Sequence, residues 1–150
     1  MELIRELALP CIYAFAACIG FSFIFNIHGV GMFISACGGA LGWLCYLLSA
    51  PLLQSDIIQA FFAAIVISVW SEVMARLRKY PVTGYLLPAL FPLVPGGGIY
   101  YTMEHAMNGE VELFAAQLLH TLGLAGALAV GALLVSSVVR LAGLHRQHAH

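Results

Sequence analysis

Residues able to do chemistry are few in this chain, and most of them gather in one stretch. From Pro81 to Met107 the sequence reads PVTGYLLPALFPLVPGGGIYYTMEHAM, which places Pro88, Pro92, Pro95 and the triplet Gly96-Gly97-Gly98 inside an otherwise apolar run. Each proline removes a backbone donor and crowds the carbonyl four residues earlier, and three consecutive glycines favour unwound backbone. At membrane depth such backbone is tolerated only where protein buries it or a watery cavity borders it. Freed amides and the N-terminus of a half-helix suit a substrate carboxylate, while freed carbonyls suit an ammonium or a hydroxyl group. The alternative is a kinked or re-entrant helix that only shapes a bundle. A nucleotide-binding loop is excluded, because Gly98 is followed by Ile99-Tyr100-Tyr101 and not by Gly-Lys-Ser/Thr.

Glu72 and Arg76 lie four residues apart in a second apolar run, so on a helix they share one face and can pair. An acid inside a membrane span is costly and is by default a functional hypothesis. Either Glu72 changes protonation with access and couples proton movement to a substrate, or it neutralises an Arg76 that snorkels to the interface. Ser68 and Ser71 add polar groups to the same span. Histidine can carry protons near neutral pH, which singles out His120, beside Gln117 and Thr121, as a third proton-coupling candidate. An interhelical hydrogen bond is its simpler role. His105, next to Glu104, reads as interfacial, and His28 falls in a short polar break. The tail His145, His148 and His150 has loose ligand-like spacing, but without acids or cysteines nearby it makes a poor metal cage. No metal and no cofactor is expected. No nucleophile and base fall at a readable spacing with a third orienting group, so the residues do not read as an enzyme.

The elements that must position these groups follow from composition. Of 150 residues 62% are hydrophobic and 9% charged, against roughly 45–50% and 25% in soluble domains. The mean hydropathy is +0.96. Between Glu6 and Asp56 there is no Asp, Glu, Lys or Arg. An ordinary soluble enzyme is thereby excluded, and six basic residues in a chain of net charge −1 exclude a nucleic-acid footprint. The expected architecture is all-α: a polytopic helix bundle in membrane lipid, forming a single domain over residues 1–150.

A bilayer core about 30 Å thick needs roughly 20 apolar residues per helix. Five runs qualify, at about 7–25, 31–48, 57–77, 82–107 and 111–141, the fourth broken by its prolines and glycines. Asp56 sits where an N-cap or interfacial residue belongs. The stretch FAAC at Phe15–Cys18 is weakly like a lipoprotein cleavage box, but the leading MELIRE carries two acids against one base and does not suit a signal peptide. Cys11, Cys18, Cys37 and Cys45 all fall in apolar runs without CxxC spacing, which suits buried free thiols. The basic cluster Arg76, Arg78 and Lys79 should be cytoplasmic, placing the N-terminus outside and the C-terminus inside. Gly38-xxx-Gly42 and Gly123-xxx-Ala127-xxx-Gly131 mark close helix approaches, within the bundle or with a partner chain.

The run from Pro88 to Met103, preceded by Pro81-Val82-Thr83-Gly84 and a basic turn, resembles the signature of the threonine/serine exporter family. The whole chain resembles the small membrane subunit of the family's split, two-chain form. That resemblance implies secondary transport across the cell inner membrane: efflux of a small carboxylate metabolite, threonine or serine, driven by the proton motive force. It also implies a larger, separately encoded membrane subunit as partner. Carried over by motif, Thr83, Gly84, Pro88, Pro92, Pro95, Gly96, Gly97, Gly98 and Tyr100 shape the substrate pathway. Two alternatives stay open: a subunit exporting a dicarboxylate such as succinate, and a non-transporting accessory subunit.

Overall fold

A computed structural model describes residues 2–147, with side chains from residue 5 to residue 142. Among the described residues every regular element is helical. They are α1 (Glu2–Ile24), α2 (Val30–Ser49), α3 (Asp56–Arg78), α4 (Val82–Leu90), α5 (Gly96–Met107) and α6 (Val111–Gln147), with a 3-10 turn at Phe91–Leu93. Helices α1, α2, α3 and α6 are each long and apolar enough to cross a membrane. The segments Val82–Leu93 and Gly96–Met107 qualify only as a pair, bent by 51°. The chain is an all-helical membrane bundle of four spans, or five with the bent pair as one. Helix α6, at 37 residues, is about 55 Å long and exceeds the hydrocarbon thickness of roughly 30 Å.

Local chemistry sets the helix ends. Asn26 adopts a left-handed φ of 55°, which its short polar side chain tolerates. The Ile27 amide then donates to the Ser22 carbonyl at 2.8 Å and closes α1. Lys79, with φ 53°, closes α3 the same way, the Tyr80 amide donating to the Ala75 carbonyl at 3.0 Å. At the other end of α3 the cap position belongs to Ser55, and Asp56 is the first helical residue. Its carboxylate Oδ1 accepts from the Ile57 amide at 3.0 Å.

Helix α3 is the hub, packed against α2, α4 and α6, while α1 leans on α2 and α5 on α6. Small residues make that crowding possible: Ala60, Ala63, Ala64, Ser68 and Ser71 of α3 are all buried. Both glycine stripes seat this same helix. Gly38 and Gly42 lie under Trp70 and Ile67, whereas Gly123 lies under Ile57 and Gly131 under Ala64. The stripes therefore serve packing within the chain. Outside this core the surface is apolar, with Ile24, Leu119 and Leu133 each more than 60% exposed, as a lipid-facing exterior requires.

Candidate functional site

The fourth segment breaks, but not at its glycines. Gly96, Gly97 and Gly98 are helical and form the first turn of α5. The unwound backbone lies one turn earlier, because prolines without an N–H cannot bond back whereas glycine retains its donor. Pro95 sits at φ −74° and ψ 60°, the geometry of an inverse γ-turn, and the Gly96 amide donates across it to the Val94 carbonyl at 2.7 Å. The Phe91 carbonyl, which a residue other than proline at position 95 would bond, is taken by the Val94 amide at 3.1 Å. The carbonyl that Pro88 frees, that of Gly84, has a hydroxyl from α2 nearby. Ser35 Oγ on α2 reaches the Gly84 carbonyl at 3.4 Å and donates to the Tyr85 carbonyl at 2.9 Å.

The two halves of this segment have different surroundings. Tyr85, Pro88 and Ala89 of α4 are buried, and an added Cβ at Gly39 of α2 would meet Cys18 Sγ and the Ala89 carbonyl. Phe91 stacks on Phe21 of α1 with ring centroids 4.1 Å apart. Past the break, α5 rests on α6, with Gly98 so close to Thr121 that a Cβ would lie 2.6 Å from Thr121 Oγ1. Gly96 and Gly97 face open space. The Gly97 and Gly98 amides have no acceptor among the described residues, and Tyr100 is 65% exposed.

A charged cavity opens where the C-terminal parts of α3 and α6 meet the start of α4. Its volume is about 570 Å³, and Glu72, Arg76, Thr83, Ser136, Ser137 and Arg140 line it with apolar neighbours. Arg76 Nε lies 3.8 Å from Glu72 Oε2, and its Nη2 donates to the Val139 carbonyl at 3.4 Å. Both contacts are long, so the guanidinium keeps donors to spare. Glu72 is 12% exposed and Arg76 57%, the profile of an acid at depth beside a cation reaching outward.

His120 does not join this pair. Its Nε2 lies 2.9 Å from Asp56 Oδ2 and 3.0 Å from Oδ1, tying α6 to the first turn of α3. Asp56 and Glu72 stand at opposite ends of α3, about 24 Å apart at 1.5 Å per residue. The three proton-coupling candidates thus divide between two places, with His120 in the interhelical hydrogen bond that was its simpler role. His105 Nδ1 contacts Glu110 Oε2 at 2.5 Å and not Glu104. Among the described residues no cluster of His, Cys, Asp or Glu could hold a metal ion, and the four cysteines are free. The His145 side chain, His148 and His150 lie outside the described residues.

The structure unites Thr83 with Glu72 and Arg76, and separates them from Pro92, Pro95 and the glycine turn. Pro92 borders a different, apolar cavity with Pro10 and Trp43. Sequence reasoning singled out none of Ser35, Ser136, Ser137 and Arg140 as a site residue. The pair Ser136-Ser137, one helical turn before Arg140 in an apolar run, was the available signal.

Comparison with curated proteins and with solved structures gives no match. The family model described as Threonine/Serine exporter, ThrE, matches residues 10–138, which include the whole broken segment, both glycine stripes and the Glu72–Arg76 pair. A match over most of the chain, on a helix bundle with this break, shows that the chain belongs to the threonine/serine exporter family of membrane transporters.

Proposed function

We propose that the chain is one subunit of a secondary exporter that moves threonine or serine out of the cell, driven by the proton motive force. A second, larger membrane subunit completes the pathway. The observation that carries this reading is the break at Phe91–Pro95 together with the open first turn of α5. Among the described residues the Gly97 and Gly98 amides find no acceptor, and nothing lies within 4 Å of a Cβ placed on Gly96 or Gly97. A second subunit placed there would enclose a helix N-terminus suited to a carboxylate. In this reading the chain sits in the inner membrane with the Arg76–Lys79 end cytoplasmic, so the charged cavity faces the substrate supply. Thr83, Gly84, Pro88, Pro92, Pro95, Gly96, Gly97, Gly98 and Tyr100 shape the pathway. Glu72 carries the proton, with Arg76 holding its carboxylate. His120 belongs to the Asp56 contact and acts through helix position.

Arg140 supports a second reading. A dicarboxylate needs a cation beyond an Arg76 already near Glu72, and Arg140 borders the same cavity.

The test is efflux of preloaded labelled threonine, with succinate in parallel, from cells expressing this chain with and without the second subunit. Efflux in co-expressing cells alone, faster for threonine and abolished by an uncoupler, is the expected result. Faster succinate efflux selects the second reading. An inserted, associated pair that exports neither substrate rejects both. Within the exporting pair, Glu72→Gln should slow proton-coupled efflux more than substrate exchange; equal loss in both modes would make the Glu72–Arg76 pair structural.

A further inference from the structure

We infer that the cavity between α3, α4 and α6 is itself a binding site for a small carboxylate, held through Arg140 and Arg76. This deepens the exporter reading and rests on it. Three observations support the site. The first is charge. Glu72, Arg76 and Arg140 are the ionisable residues lining the cavity, so it carries one positive charge in excess. One carboxylate neutralises that excess. Among the described residues Arg140 has no ion-pair partner. Arg140 is exposed and borders this polar cavity near the end of α6, which leaves its guanidinium donors available to an anion.

Donor capacity is the second observation. Guanidinium forks bind carboxylates through two parallel N–H groups, and Arg76 spends its donors on only two long contacts, at 3.8 Å and 3.4 Å. The start of α4 adds to these, since the Val82 and Thr83 amides have no acceptor among the described residues. The third is what surrounds the cations. Thr83, Ser136 and Ser137 bring hydroxyls to the same cavity, and Glu72 brings the one acid. Hydroxyls and an acid beside a carboxylate anchor suit a ligand with a polar group close to its carboxylate, such as an α-amino or hydroxy acid. A volume of about 570 Å³ falls within the range of small-molecule pockets, roughly 300–1,000 Å³.

The site stands apart from the α4–α5 break. Substrate would therefore meet two stations, the charged cavity first and the break second, and affinity should follow the first.

The experiment is equilibrium binding of labelled L-threonine to the full chain in lipid nanodiscs. Unlabelled L-threonine, succinate and L-threoninamide, which lacks the carboxylate, serve as competitors. Wild-type binding should be displaced by L-threonine and not by threoninamide. Arg140→Gln should weaken binding at least tenfold, the scale of one lost charge-assisted contact. Arg140→Lys should recover part of it. Stronger displacement by succinate than by threonine keeps the site and assigns it a dicarboxylate. Unchanged affinity in both Arg140→Gln and Arg76→Gln places the ligand elsewhere and overturns the inference, leaving the exporter reading intact. Absence of threonine and succinate binding to the chain, with efflux from cells that also hold the second subunit, likewise overturns it alone. Absence of both binding and efflux removes the exporter reading as well.

Discussion

Helices α4 and α5 come from one proline- and glycine-rich run, yet the bundle treats them in opposite ways. Helix α4 is wedged against α2 and α3, its Tyr85, Pro88 and Ala89 buried and its Tyr85 carbonyl accepting from Ser35 Oγ. Helix α5 rests on α6 and leaves Ile99, Tyr100, Tyr101 and Met103 more than half exposed. The prolines are thus handled in two ways. Pro88 is absorbed into a packed helix by a neighbouring side chain, while Pro95 is resolved by a turn that redirects the chain. Substitutions around α4 should accordingly cost stability, and substitutions in α5 should cost function first.

The largest effect falls on the α4 side. Gly39→Leu places a branched side chain against Cys18 and the Ala89 carbonyl, and backbone cannot yield as a side-chain tip can. Overpacking costs typically 1–3 kcal/mol and here about 3 or more, enough to remove folded protein from detergent extracts. Size-exclusion profiles and thermal unfolding will show it. A well-folded Gly39→Leu protein would mean that α4 is not wedged.

Gly97→Leu is the counterpart on α5. An added Cβ there meets nothing within 4 Å among the described residues, so unfolding should shift by no more than about 0.5 kcal/mol. Transport, in contrast, should be abolished in cells that also hold the proposed second subunit. Normal efflux from this variant would take the first turn of α5 out of the mechanism and leave the break as architecture.

Between these lies Ser35→Ala, which removes the donor to the Tyr85 carbonyl. Leaving a buried acceptor unserved costs about 1–3 kcal/mol, read as a fall in unfolding temperature with insertion retained. No fall would indicate that water reaches the Pro88 kink.

Much of the fold was legible in the sequence, and the exceptions have physical causes. Apolar run length fixes where helices form, and the need for small residues at close approaches fixes Gly38, Gly42, Gly123 and Gly131. Within the proline- and glycine-rich run the break falls at the prolines and not at the glycines, because glycine weakens a helix without preventing one whereas proline removes the donor outright. Two further features depend on which helices become neighbours, and no local pattern encodes that. Ser35 serves a carbonyl about fifty residues later in the chain, and His120 contacts an acid 64 positions away. Arg140 shows the same limit: its charge was readable, and its place beside Thr83 was not.

The smallest expected effect tests the α5–α6 contact directly. Alanine at Gly98 should gain up to about 1 kcal/mol of helix propensity, but its Cβ would lie 2.6 Å from Thr121 Oγ1. Thr121 is poorly placed to yield, because it is β-branched and its hydroxyl donates to the Gln117 carbonyl at 2.7 Å. Gly98→Ala alone should therefore destabilise slightly, by about 0.5 kcal/mol, as the clash outweighs the propensity gain. In a Thr121→Ala background the obstacle is gone and the same substitution should stabilise. A double-mutant cycle measures this reversal as a coupling of about 1 kcal/mol. Additive effects would show that α5 does not hold Gly98 against Thr121. The α4–α5 contrast would then be larger still, with α5 only loosely held by the rest of the bundle.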